Sequence, residues 1–251
     1  MKVLFQVTTR QPLADNIALV TGASSGIGRA IALCLADLGA EVCLVARRQS
    51  ALEELADEVR AKGGRAEVCC TDWTREEELE TLAAGIRRRF GRVDVLVLCG
   101  GVMFHGGLEQ APLEQLEMQY RVNFWGPYAV ARLLLPLLRR QPGQIVFVNS
   151  SAGLRGGAGM GQYSAMQHAL RAVADSLREE VNAEGIRVLS VYPGRTATPR
   201  MAALFEKEGR PYRPELLMQP EDVAAMVAHA LILPRTAEVT DIRMRSLQKS
   251  Y

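Results

Sequence analysis

Three glycines, Gly22, Gly26 and Gly28, stand in the stretch VTGASSGIGRAIAL. An apolar run precedes them and a helix-patterned run follows. Glycine lets the chain turn tightly and lets a ligand come close to the backbone. A helix starting there offers free N–H groups and the positive end of its dipole, which suits a pyrophosphate. The candidate contacts are Gly22, Ser24, Ser25, Gly26, Ile27 and Gly28. Many strand–helix turns carry glycine for structural reasons, so the loop alone is weak. A second feature is Tyr163 with Gln167 in YSAMQHAL. Residues four apart share one helix face. A phenol can give or take a proton, whereas an amide can hydrogen-bond but carries no charge.

The elements that must hold these residues alternate along the chain. Strand-like runs fall at 17–22, 40–47, 66–72, 93–101, 143–151 and 186–194, with a last near 238–244. Helical patterns fall at 28–39, 50–64, 75–91, 113–140, 161–184 and 220–232. The segment 195–219 reads as irregular. Continuously apolar strands are expected where helices cover both faces of a sheet. Regular βαβ alternation predicts an α/β fold, a Rossmann-like, doubly wound parallel sheet. No repeat or low-complexity linker divides the chain, so one domain is expected over 15–251, after an N-terminal extension over 1–14.

Composition narrows the function classes. The chain has 251 residues, 48% of them hydrophobic, and a net charge of +2. That is ample apolar content for a real core. No basic run suggests nucleic acid; RRRF at 87–90 reads as a solvated helix end. No run of about 18 apolar residues predicts a membrane span, and the start lacks the apolar centre of a signal peptide. Cysteines at 34, 43, 69, 70 and 99 show no CxxC spacing. Buried reduced thiols and a cytoplasmic protein without zinc are expected.

The glycine spacing is Gly-x3-Gly-x-Gly. In this the chain resembles the short-chain dehydrogenase/reductase family, whose loop motif is TGxxxGxG. The resemblance runs from about residue 15 to about 245. It implies a seven-stranded parallel sheet, a nicotinamide cofactor, hydride transfer to or from a carbonyl carbon, and often a homodimer or homotetramer. It also implies site residues. Tyr163 matches the proton-transferring tyrosine, and Ser150, 13 residues earlier, matches the serine that holds the substrate oxygen. Asn123 in RVNFWG matches the helix asparagine that holds a water in the proton path. In YPGRTATP, Pro193, Gly194, Thr196 and Thr198 match the stretch beside the nicotinamide carboxamide and the phosphates. Ser151 is rejected as the catalytic serine because its interval is wrong.

The second strand ends VARRQ. A carboxylate there would hold the ribose 2′-OH of NAD. Arg47 and Arg48 instead suit a 2′-phosphate, and point to NADP(H). Two surface arginines opening a loop are the alternative. Asp72, after the third strand, matches the family aspartate beside adenine. It also suits a loop aspartate capping the next helix.

Departures from the family pattern gather near the nicotinamide. Gln167 stands where the family has lysine, and Met166 where a small polar residue is common. LCGG at 98–101 replaces NNAG; Gly100 and Gly101 can still pass near the adenosine ribose. A free tyrosine ionises near pH ~10, and a nearby cation lowers a pKa by about 1–3 units. Loss of the lysine charge therefore costs roughly ten- to a thousand-fold in a step that needs tyrosinate. Alcohol oxidation needs tyrosinate; carbonyl reduction needs neutral tyrosine. The sequence therefore predicts a reductase of a small, mainly apolar carbonyl compound. His168 points away from Gln167 around the helix. The alternative is a protein of the same fold without redox activity: a cofactor-binding regulator, a lyase or cyclase, or an inactivated lysine-to-glutamine variant.

Overall fold

The computed structural model describes residues 11–248. Seven strands form one parallel sheet in the order β3-β2-β1-β4-β5-β6-β7. They are β1 Ile17–Thr21, β2 Glu41–Ala46, β3 Arg65–Cys70, β4 Val95–Leu98, β5 Gln144–Val148, β6 Arg187–Pro193 and β7 Asp241–Met244. Every residue of β1, β4, β5 and β6 is buried. That is why those runs are apolar on both faces rather than alternating.

Eight α-helices accompany the sheet among the described residues. They are α1 Gly26–Asp37, α2 Gln49–Ala61, α3 Glu76–Phe90, α4 Leu113–Tyr120, α5 Gly126–Leu138, α6 Gly161–Val181, α7 Pro199–Lys207 and α8 Pro220–Leu231. Side-chain alternation splits the core in two. Ala18 and Val20 face a layer with Ile31 of α1, Leu52 of α2 and Val227 of α8. Ile17 and Leu19 face a layer with Leu82 of α3, Leu134 of α5 and Leu170 of α6. The strand order reverses between β1 and β4, and a crevice opens there beyond the strands' carboxyl ends.

Within 113–140 a π-helical turn, Arg121–Trp125, joins α4 to α5 and carries Asn123. Two readings change. The segment 195–219, expected to be irregular, contains α7, whose amphipathic pattern is too short to stand out. The thiols are free, but Cys70 is exposed and Cys34 and Cys69 are half-buried. β3 is an edge strand, and none of its residues is fully buried. Of the expected N-terminal extension, residues 1–10 lie outside the described residues. Leu13 is buried, and its N–H donates to the Leu38 carbonyl at 3.0 Å.

Candidate active site

The glycine turn closes against β4. Gly22 has φ +63°, and a Cβ there would stand 2.1 Å from the Cys99 carbonyl oxygen. At Gly28 a Cβ would meet the Gly22 carbonyl oxygen at 2.4 Å. Backbone, not a flexible side chain, fills both places, so neither tolerates a larger residue. Thr21 locks the junction. Its hydroxyl accepts from the Cys99 N–H at 2.9 Å and lies 3.0 Å from the Cys99 carbonyl. This joins β1 to β4 where two family asparagines are missing. In their place Leu98 fills core, and burial pushes the Cys99 thiol up to about 12, against the lowering pull of Arg200.

A cleft of about 570 Å³ runs from this turn across the sheet ends. It is lined by Gly22, Ser24, Ser25, Gly26, Ile27 and Gly28, and by Arg47, Arg48, Asp72 and Gly100. Ser150, Tyr163, Gln167, Pro193, Gly194, Thr196 and Thr198 line it too. Asn123 does not line it. Asn123 is buried; its amide donates to the Val102 carbonyl and its oxygen accepts from the Val102 N–H, both at 2.8 Å. It holds the cleft wall from behind.

At one end, Arg48 donates to the Ser24 carbonyl at 3.2 Å and Arg47 lies 3.9 Å from the Asp72 carboxylate. Asp72 also accepts from the Thr74 N–H and hydroxyl, so it shapes its own turn while facing the cleft. At the other end, Tyr163 and Gln167 lie one turn apart on the buried side of α6. Tyr163 is 4% and Gln167 5% exposed. The Gln167 Oε1 is buried with no hydrogen-bond partner. Leaving such an acceptor unpaired is costly unless a ligand completes it. Ser150 Oγ accepts from the Ala152 N–H at 3.2 Å, which leaves its own proton free to donate. Thr198 caps α7 through the Met201 N–H, and its methyl faces Gly26 across the cleft. His168 hydrogen-bonds the Ser164 carbonyl one turn back and does not line the cleft.

Sequence reasoning missed two residues here. Asn149 accepts from the Ser150 N–H at 2.7 Å and donates to the Gln167 carbonyl at 3.0 Å. It thereby fixes the serine against the helix of Tyr163; its only signal is a polar residue ending the apolar run IVFV. Trp73 lines the cleft and packs so close to Gly100 that a Cβ there would lie 3.1 Å from the indole. No spacing signals it.

A crevice at the sheet's switch point, with a glycine turn on one side and serine and tyrosine on the other, defines a nucleotide-binding oxidoreductase fold. The short-chain dehydrogenase family model matches residues 16–209, and the chain belongs to that family. It is 37% identical over 237 residues to a glycine betaine reductase of Emericella nidulans. That match covers 92% of this chain but 19% of the relative, so the chain spans about a fifth of that relative's length. It is 35% identical to 1-deoxy-11-beta-hydroxypentalenate dehydrogenase of Streptomyces exfoliatus, covering 87% of this chain and 80% of that one. A solved metagenomic short-chain oxidoreductase in complex with NADP superposes with a TM-score of 0.82 at 30% identity. That comparison covers 95% of this chain and all of the other. Among the described residues no helix is long and apolar enough to cross a membrane. No cluster of metal-ligating side chains occurs among them either.

Proposed function

We propose that the protein is an NADPH-dependent carbonyl reductase. The observation that carries this is one cleft holding Ser150 and Tyr163 beside a buried, unpartnered Gln167 Oε1. The residues fit NADP(H). The glycine turn and the start of α1 receive the pyrophosphate, and Arg47 and Arg48 receive the 2′-phosphate. The Gln167 Oε1 accepts from a ribose hydroxyl. A bound reduced nicotinamide supplies the hydride.

The chain's own groups do the rest. Ser150 turns its free hydroxyl proton to the substrate oxygen and orients it. Tyr163 gives its phenolic proton to that oxygen as negative charge develops. Asn123 fixes the wall opposite. Gln167 holds without charge, so the neutral, proton-donating phenol is favoured and reduction outruns oxidation. Loss of NADPH absorbance with a panel of ketones, quinones and aldehydes tests this. Faster NADP⁺-linked alcohol oxidation than ketone reduction at pH 7 would count against it.

The uncharged Gln167 also supports a second reading, a cofactor-binding protein of the same fold without redox turnover. Tight NADPH binding with no reduction of any carbonyl would select it. Reduced thiols fit a cytoplasmic setting. The half-exposed Met118 and Tyr128 on α4 and α5 suit a homodimer or homotetramer through that face.

A further inference from the structure

The substrate end of the cleft holds a polar pair that none of the catalytic assignments uses. His105 Nδ1 lies 2.8 Å from Glu208 Oε1. His105 stands on the loop after β4 and Glu208 just past α7, so the pair joins the two lips of the cleft, and both residues line it. Met103, Met160, Met201 and Leu204 give that end an apolar surface, with Arg195 and Arg200 beside it.

Both partners are held in place. The Phe104 N–H donates to buried Gln119, and the Gly106 N–H donates to the Gly159 carbonyl at 2.9 Å, so the backbone is pinned on either side of His105. Glu208 has its second oxygen 2.9 Å from Arg210 Nη1, and the Arg210 guanidinium lies over the buried Phe205 ring. Burial acts to raise the Glu208 carboxyl, but Arg210 and His105 outweigh it and hold it below the usual carboxylate value. Glu208 is therefore a charged acceptor, and His105 Nδ1 carries the proton between them. With the Nδ1 proton turned to Glu208, Nε2 is the ring atom left for a second hydrogen bond. That atom is buried and has no partner.

We propose that His105 is a substrate-positioning residue whose Nε2 accepts a hydrogen bond from a hydroxyl on the substrate, apart from the reacting carbonyl. The substrate is then a hydroxylated carbonyl compound with an apolar body. The methionine and leucine side chains take up the body, and the imidazole sets which way round it lies. This rests on the reductase reading.

Matched cyclic ketones test it, bearing at one ring carbon a hydroxyl, a methoxy group or hydrogen. Binding to the NADPH-loaded protein is read by titration calorimetry, and turnover by NADPH absorbance. The wild type is expected to bind the hydroxy ketone about tenfold more tightly than either analogue. H105F should bring that ratio near one, with the turnover preference lost through KM rather than kcat. E208Q keeps an acceptor for Nδ1–H and should retain most of the preference, whereas E208A should lose most of it. A wild-type ratio near one, or one that survives H105F, overturns the proposal, and the wild-type ratio decides even if H105F does not fold. If the binding ratio holds while no ketone is reduced, His105 stands as the hydroxyl acceptor and the reductase reading falls.

Discussion

The two ends of the cleft are built differently. The phosphate end is made of backbone: Gly22 and Gly28 leave no room for a Cβ, and Thr21 bolts β1 to β4 beside them. The nicotinamide and substrate end is made of side chains from separate segments, with Ser150 after β5, Tyr163 and Gln167 on α6, and His105 and Glu208 on facing loops. Backbone geometry admits glycine or nothing, so the first end keeps its family motif. Side chains can be exchanged within the same shape: Gln167 departs at the second end, while at the first the side chains of Leu98 and Cys99 depart and the Cys99 backbone still closes on Gly22 and Thr21.

The largest effect should come from removing the acid. Tyr163→Phe keeps the ring that packs in α6 and removes the proton. Ketone reduction should fall by about a hundredfold to ten-thousandfold. The Kd for NADPH should change by less than about fivefold, since a lost neutral hydrogen bond contributes about 1 kcal/mol or less. Stopped-flow hydride transfer beside a fluorescence titration separates the two. Unchanged reduction would remove Tyr163 from the chemistry and leave the two ends without the division of labour argued above.

Gln167→Lys restores a cation one turn from Tyr163. Alcohol oxidation at pH 7 should rise by roughly ten- to a thousand-fold, because the cation stabilises tyrosinate by about 1–3 pKa units. Reduction should gain less, since neutral tyrosine is already plentiful. Initial rates in both directions measure this. No gain in either direction, with NADPH still tightly bound, would favour the reading without redox turnover.

Gly22→Ala probes the other end. The new methyl would meet the Cys99 carbonyl at 2.1 Å from a backbone at φ +63°, and neither can move without parting β1 from β4. A loss of about 2–4 kcal/mol is expected, a fall of roughly 4–16 °C in Tm, together with weaker NADPH binding. A melting curve equal to wild type would show that the turn is looser than its contacts imply.

The same division decides what the sequence discloses. Sheet, layers and glycine turn follow from apolar periodicity and from glycine's steric signature, both local properties. Ser150 and Tyr163 are legible through one fixed interval, because a strand end and the helix after it are tied at constant length. Asn149, Trp73 and the His105–Glu208 pair are not. Their partners lie 18 to 103 residues apart in sequence, and no periodicity records a contact between loops. Asn123 lies between these cases: its identity is legible, but its bonds to Val102 are set by a π-helical turn that helical spacing hides. α7 was missed for a related reason. It is nine residues long and buries mainly Phe205, so its pattern does not rise above that of a loop.

The smallest effect, and the one that divides the phosphate end itself, concerns Arg47 and Arg48. Backbone N–H groups hold a pyrophosphate whichever nicotinamide is offered, whereas a guanidinium beside the adenosine ribose distinguishes NADPH from NADH. Arg48 is already turned into the loop by its bond to the Ser24 carbonyl, while Arg47 is drawn toward Asp72 at 3.9 Å. Arg48→Gln should therefore raise the KM for NADPH by about tenfold, the worth of one charge-assisted contact in a partly exposed site. Arg47→Gln should raise it less, because its pull is shared with a carboxylate. NADH, lacking the 2′-phosphate, should be used equally well by both variants and the wild type. The NADPH-to-NADH ratio of kcat/KM reads this directly. Equal losses with both cofactors would mean that the arginines shape the loop rather than recognise the phosphate.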